Sequence, residues 1–343
     1  MKRACHALLG LLSAVFCLMA IPANAQNPFG VMLWGQAGED TPALLARARG
    51  LGVAWYRPPA LFLDRWIPGQ PCSACAIYAD SGLKIALTVR NSGSDHGSRA
   101  PSRPPIDIAL FGKVLGSVLD DWKPAYLVVE NEEDNPLSYD DPNRDFSGYR
   151  NELTRACQVS HARGIPCTNG GLSFESVTLA AWLDKLEHEG GEAGCAFIRR
   201  LFPDGPRRGM ADALCRYETP AQALPIAQGP ARAAMTLLPI YRQSPIDAVN
   251  IHWYGKDAYA LSDVVAFMRR ATGKPVLSNE IGQRPKEASP ANIRPILRAA
   301  LSSGLTMAIW YSVDTDGSES LFDIKGLLRP SGWEFQRQMS GRR

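Results

Sequence analysis

Tyr126-Leu127-Val128-Val129-Glu130-Asn131-Glu132-Glu133 runs from four apolar residues straight into a cluster of carboxylates. A continuous apolar run of this length has the form of a parallel strand covered on both faces, since a strand with one wet face would alternate. Seven similar runs flank it: Phe29–Trp34, Val53–Arg57, Lys84–Val89, Ile165–Thr168, Ala248–His252, Pro275–Asn279 and Thr306–Tyr311. Helical patterns lie between them, clearest over Pro42–Arg49, Ile106–Trp122, Tyr149–Ala162, Leu261–Ala271 and Ala291–Ser302. Eight strands alternating with helices predict a closed (β/α)8 TIM barrel of α/β class rather than an open doubly wound sheet. The open sheet is further disfavoured because no glycine-rich dinucleotide fingerprint follows the first strand. One interval, Gly170 to Ser244, is too long for an ordinary βα unit. Its helical pieces (Val177–Glu187, Ala221–Arg242) read as an elaborated segment after strand five of a single domain, with surface turns around Phe202–Gly209.

The first 25 residues have the form of a signal peptide. Lys2 and Arg3 precede an apolar stretch from Leu8 to Ile21, and Ala23-Asn24-Ala25 supplies the small residues a signal peptidase needs. The stretch is too short and too near that cleavage signal for a membrane span. The expectation is a cut after Ala25 and a catalytic domain over residues 26–343, secreted or periplasmic. The formal charge of +3 falls to +1 once Lys2 and Arg3 are set aside, which gives no argument for nucleic acid or an anionic membrane as partner. Oligomeric state is not legible; a monomer is the expectation. Of the eight cysteines, Cys5 and Cys17 leave with the leader. The others form an even set in an exported chain, which favours disulfides over thiols or zinc. Local spacing favours Cys72–Cys75, Cys157–Cys167 and Cys195–Cys215.

On such a barrel the reacting groups sit where strands end and βα loops begin. Strand two ends at Arg57, strand four at Glu130-Asn131-Glu132-Glu133, strand six at His252-Trp253-Tyr254, strand seven at Asn279-Glu280 and strand eight at Trp310-Tyr311. In that order and spacing the chain resembles the clan A retaining glycoside hydrolases, nearest in character to family 39 and its relatives, then family 5. The resemblance covers essentially the whole mature chain. It implies Glu132 as general acid/base, Glu280 as nucleophile, Asn131 on the sugar 2-hydroxyl, and Arg57, His252, Tyr254 and Trp310 as substrate-site residues. No cofactor is implied. No His-x-His or His-Glu-x-x-His pattern suggests a metal.

The chemistry asks for the same pair. Glycoside hydrolysis needs one carboxyl that carries a proton to the leaving oxygen and one that is ionised, so their environments must differ. Arg57 and a Tyr254 hydrogen bond would keep Glu280 ionised, and the charge on Glu280 would help Glu132 hold its proton. Strand alternation puts Glu130 and Glu132 on the same side and does not choose between them; the preceding Asn131 favours Glu132. Each of these side chains also has a structural reading, as a surface carboxylate, an ion-pair partner or a satisfied core histidine.

Aromatic rings stack on the apolar faces of sugars. Trp34, Trp253, Trp310 and Tyr311 lie at strand ends, with Trp34 and Trp310 as substrate contacts. Trp66 lies in the loop after strand two, and Trp122, Trp182 and Trp333 are assigned to packing. The acidic run from Glu132 to Asp145 either lines the cleft, where it would disfavour anionic sugars, or forms a solvated loop. Asp314–Ser318 reads as a polar turn rather than a calcium loop, having no Glu at the twelfth position. The expected activity is hydrolysis of a polysaccharide or oligosaccharide by double displacement, with endo action favoured by aromatics spread over several strands. The alternative is a non-catalytic carbohydrate-binding barrel, a pseudo-glycosidase.

Overall fold

The computed structural model describes residues 27–34, 40–93, 101–142, 145–203, 207–225, 227–311, 317 and 319–340. The expected leader and all of the Asp314–Ser318 turn except Gly317 lie outside the described residues. Eight strands form the barrel: β1 (Phe29–Met32), β2 (Trp55–Arg57), β3 (Lys84–Arg90), β4 (Tyr126–Val129), β5 (Cys167–Asn169), β6 (Val249–Trp253), β7 (Val276–Gly282) and β8 (Ala308–Tyr311). All pair in parallel, in the order β5-β4-β3-β2-β1-β8-β7-β6. A two-residue strand, Leu61–Phe62, adds to the end of β3. This is the TIM barrel predicted above, with strand boundaries shifted by one to three residues. The largest shift carries β7 three residues further, through Glu280 to Gly282.

Side chains alternate between two cores. Met32, Ala86, Ala248, Leu277, Met307 and Ile309 fill the lumen. Their strand neighbours, among them Val31, Leu87, Val249, Val276 and Trp310, face the surrounding helices. The helices begin where short polar side chains accept the first free amides: Asp107 caps Ile108–Trp122, Ser173 caps Phe174–His188, Asp257 caps Ala258–Thr272 and Ser289 caps Pro290–Ser302. The segment after β5 is elaborated as expected, with helices at Phe174–His188, Gly191–Leu201, Arg208–Leu214, Pro220–Ala223 and Gln228–Gln243. The expected single helix over 221–242 is instead divided, with Gly229 at φ 39° in the kink. Cys195–Cys215 ties this segment, Cys157–Cys167 joins a helix to β5, and Cys72–Cys75 spans the first turn of the helix Ser73–Ala79.

Barrel closure falls between β5 and β6, where only the isolated bridges Thr168↔Ala248 and Leu172↔Ile251 occur. Main-chain bonds from Asp247 N to Cys167 O, Leu172 N to Asn250 O and His252 N to Leu172 O cross the seam, and side chains complete it. Asn169 presents its amide to both main-chain groups of Asn250, its Oδ1 accepting Asn250 N at 2.7 Å and its Nδ2 donating to Asn250 O at 3.1 Å. Asn250 answers with Nδ2 donated to Asn169 O at 3.2 Å. Buried main-chain polar groups need partners, and here asparagine side chains supply them.

Candidate active site

Three of the expected residues meet at the C-terminal mouth of the barrel. Glu132, His252 and Glu280 each place a ligand-type atom within 4.8 Å of the others. Arg57 is buried between the strands: Nη1 donates to Glu280 Oε2 at 2.9 Å and to Asn279 O at 3.0 Å, Nη2 to Asn131 Oδ1 at 2.9 Å, and Nε to Thr88 Oγ1 at 3.2 Å. Tyr254 donates its hydroxyl to Glu280 Oε1. His252 Nδ1 lies 3.0 Å from Glu132 Oε1 and 3.7 Å from Glu280 Oε1. Asn135 Nδ2 donates to Glu132 Oε2 at 3.0 Å.

A bulge aims Glu280. From Asn250↔Leu277 to His252↔Glu280, β6 advances two residues while β7 advances three. The extra residue lets consecutive side chains both face the lumen side, Asn279 toward Asn250 and Glu280 toward Arg57. Ile281 then returns to the outer core.

Left-handed backbone aims Glu132. Glu130 has φ 70° and Glu132 φ 46°, conformations that non-glycine residues adopt at a cost and that cluster at functional sites. The turn breaks the strand period, so alternation fails as a guide here. Glu130 is buried, accepting Asn91 N at 2.6 Å and Ser102 Oγ at 2.8 Å. Glu133 is buried beneath the site, accepting Asn169 Nδ2 at 2.8 Å and the Tyr241 hydroxyl. Burial pushes the Glu133 carboxyl up to about 7, against those hydrogen bonds. Only Glu132 of the three is partly exposed toward the mouth. Glu133, Asp134 and Asp141 are buried, whereas Asp140 is partly exposed and Asp145 exposed, so the acidic run is divided between interior and surface, with Asp141 bordering a cavity.

The protonation of His252 can be read from its partners. Asn250 Oδ1 accepts the Asn279 backbone amide at 2.9 Å, which leaves Asn250 Nδ2 as donor to Asn279 Oδ1 at 2.6 Å. Asn279 Oδ1 is therefore an acceptor, and His252 Nε2, 3.1 Å from it, carries the hydrogen. Nδ1 is left facing Glu132, and the two share one further proton. Burial alone would raise the Glu132 carboxyl, but the His252 hydrogen bond and charge, with Asn135 and Arg57, outweigh it and hold it below the ordinary value. Burial would lower His252, yet the Glu280 and Glu132 charges outweigh it and hold the imidazole above its usual value. Both directions favour the shared proton on the imidazole. The lowering of Glu132 runs against the expectation that the Glu280 charge would raise it, because the sequence could not place His252 against it.

A cation would find the same three donors, but Glu280 already engages the Arg57 guanidinium and the Tyr254 hydroxyl. Those neighbours favour a proton-handling site over a metal site.

Trp310 needs correction. It lies on the outer side of β8, fully buried, with its ring edge-on to Phe335 at 5.5 Å, and cannot meet a substrate. Strand alternation hands the mouth to Tyr311, whose ring lies 6.3 Å from Tyr254 and 6.4 Å from Trp34. Trp34 is 38% exposed at the end of β1. Trp253 is likewise outer packing, against Phe174. Trp66 is held by Ser117, Trp122 and Trp182 are buried, and Trp333 is 60% exposed rather than packed. Asn169, Asn250, Asn279 and Glu133 were not anticipated. The Asn169-Gly170-Gly171 triplet was the available signal.

Those glycines are required by what lies above them. A Cβ on Gly170 would sit 2.6 Å from Glu133 Oε2, and one on Gly171, at φ 107°, 2.4 Å from His252 Nε2. Gly171→Ala is expected to displace the imidazole and destabilise the fold by about 1–3 kcal/mol. Thermal unfolding and hydrolysis measured together check this; a variant that melts and turns over as the parent does would refute the packing described.

No protein-family model matches the chain, and no curated protein does either. Solved structures are similar in fold. GH5_18 from Bifidobacterium longum subsp. longum, solved in complex with Manb1-4GlcNAc, superposes with a TM-score of 0.56 at 13% identity, covering 92% of this chain and 78% of that one. An exo-beta-1,4-mannosidase from an Opitutaceae bacterium gives 0.57 at 15% identity, and this chain spans 60% of its length. The beta-glycosidase BGL167 gives 0.52 at 13%, covering 88% and 85% of the two chains. At these identities the likeness is one of barrel fold. It agrees with the clan A resemblance and does not single out family 39.

Proposed function

We propose that the protein is an exported glycosidase that cleaves a polysaccharide or oligosaccharide with retention of configuration, Glu280 acting as nucleophile and Glu132 as acid/base. The observation that carries this is that one carboxylate oxygen of Glu132 and one of Glu280 come within 4.8 Å of each other, with His252 in the same cluster, at the barrel mouth. Retaining enzymes hold their two carboxyl groups about 5–5.5 Å apart, whereas inverting ones leave about 6.5–9.5 Å for a water. Arg57 and Tyr254 fix both oxygens of Glu280, leaving it oriented for attack on the anomeric carbon.

As the bond to the leaving oxygen breaks, a proton must reach that oxygen. When substrate displaces water, the charge-separated His252–Glu132 pair becomes costly, and the shared proton moves from Nδ1 to Glu132. Glu132 then donates it, leaving neutral His252 and a carboxylate. A water attacks the glycosyl ester on Glu280 and gives its proton to Glu132, which restores the pair. With Oδ1 held by Arg57, the Asn131 amide offers N–H donors to a sugar hydroxyl. Trp34 and Tyr311 supply ring faces beside Tyr254.

Endo action is supported by hollows walled by the loops after several strands, outside the residues of the reacting centre itself. A cavity of about 850 Å³ opens between Asn91, Arg103–Asp107, Phe111 and Asp141, at the loops after β3 and β4, and shallower grooves lie beyond β6. Export is supported by the three disulfides. No helix among the described residues is long and apolar enough to cross a membrane.

The test is turnover of a panel of plant, bacterial and fungal glycans, with NMR of the first product anomer. Inverted product would refute the mechanism. Glycan binding without turnover across the panel would instead favour the pseudo-glycosidase.

The shared proton also sets the pH dependence. Lowered Glu132 and raised His252 keep one proton on the pair until pH exceeds the raised imidazole value. His252→Asn leaves Glu132 to hold the proton alone, so the alkaline limb of kcat/KM is expected to move to lower pH. An unmoved limb would detach His252 from the proton inventory.

A further inference from the structure

Beyond Tyr254 the rim of the mouth is strongly cationic. Two adjoining cavities, of about 470 and 380 Å³, share Lys256, Asp257 and Pro295 as walls. Arg199 and Arg200 line the first, Arg294, Arg298 and Tyr259 the second. Five cations therefore face this groove against one carboxylate, Asp257, and Asp257 is occupied in capping the helix Ala258–Thr272. Arg199 also meets Asp212 at 3.3 Å and Arg200 meets Asp263 at 3.5 Å, both at exposed positions. Lys256, Arg294 and Arg298 are exposed and, among the described residues, have no carboxylate within ion-pair distance, Arg294 acting on Glu334 only through its longer-range field. Tyr259 is 74% exposed, with the Arg200 guanidinium 5.9 Å from its ring.

The position of the groove gives it meaning. Lys256 is two residues from Tyr254, which touches Glu280, so its backbone lies within about 7 Å of Tyr254 along the chain. Arg294 and Arg298 stand on the helix that follows the loop after β7. The groove thus begins two residues along the chain from Tyr254 and is walled in part by residues that follow β6 and β7, apart from the residues of the reacting centre itself.

We propose that this groove is a distal subsite for an anionic polysaccharide, one bearing carboxylate or sulfate groups on successive sugars. This deepens the glycosidase reading and rests on it for the direction of the chain. Charge complementarity identifies the occupant: an unbranched polyanion meets Lys256, Arg294 and Arg298 in turn, and Tyr259 offers a ring face to a sugar between them. The acids after β4 do not line this groove: Glu133 and Asp134 are buried, and Asp141 borders the separate cavity at the β3 and β4 loops.

The test uses the full chain carrying Glu280→Gln, so that ligand is not consumed. Polygalacturonate and its methyl ester share one backbone and differ in charge, as do dextran sulfate and dextran. Affinity electrophoresis at low salt should show retardation by the charged member of at least one pair and not by its neutral counterpart. The retardation should fade as salt screens the contact. Adding Lys256→Glu and Arg298→Glu together should weaken it about tenfold. The same pair of substitutions in the otherwise unaltered protein should leave melting temperature and cleavage of a short neutral aryl glycoside unchanged.

Equal retardation of the substituted protein, no retardation by either polyanion, or equally tight binding of double-stranded DNA would overturn the proposal. Charge-specific retention without turnover of any glycan would support the groove while removing the catalytic reading. Turnover of neutral glycans without retention would do the reverse.

Discussion

Glu280→Gln is expected to lower hydrolysis by about 10⁴-fold or more while the barrel stays folded and still binds glycan. The amide has the size of the carboxylate but is far too weak a nucleophile to form the ester. Arg57 loses its ionic partner yet keeps Asn279 O and Asn131 Oδ1 as acceptors, so its buried guanidinium is not stranded. That is why folding should survive, and circular dichroism melting verifies it alongside release of a chromogenic aglycone. Glu280→Asp provides a second reading: charge is retained, but the oxygen withdraws from Tyr254 and from the anomeric carbon. Hydrolysis within about tenfold of the parent in both variants would exclude Glu280 as nucleophile.

Glu132→Ala is expected to lower turnover by about 10²–10⁴-fold, with the loss depending on the leaving group. A poor leaving group needs the proton in the first step, so glycosylation fails. An activated aryl leaving group departs unaided, and the defect moves to the second step, where no base activates water. Azide needs no base. It should restore turnover of the activated substrate and yield a glycosyl azide of the same configuration as the substrate. Uniform loss over all leaving groups with no response to azide would remove Glu132 from proton transfer and make it only a binding residue.

The barrel was legible because its strands are buried on both faces and so are written as unbroken apolar runs; Tyr126–Val129 and Ala308–Tyr311 show this plainly. The strand-end positions of Arg57, Glu132, His252, Tyr254 and Glu280 followed from the same register. What failed was anything that depended on a departure from regular geometry. The positive φ of Glu130 and Glu132 breaks the period that would have paired them. The β7 bulge makes neighbours Asn279 and Glu280 face the same way, which no alternation rule allows. Trp310 was misplaced by one position for the opposite reason: β8 is regular there, and its period sends Trp310 outward and Tyr311 to the mouth. The Asn169, Asn250 and Asn279 set was missed because asparagines in strands carry no signal until their partners across the sheet are known.

That set has a consequence for how the protein can change. Where β5 meets β6 the cylinder is zipped by amide side chains, and the last of these tells His252 which nitrogen is hydrogenated. Scaffold integrity and tautomer are therefore a single degree of freedom. An Asp in place of any one amide would swap a donor for an acceptor and force every group after it along the chain to turn over. Alteration of substrate preference has its latitude in the outer loops, while this inner stitch admits almost no drift.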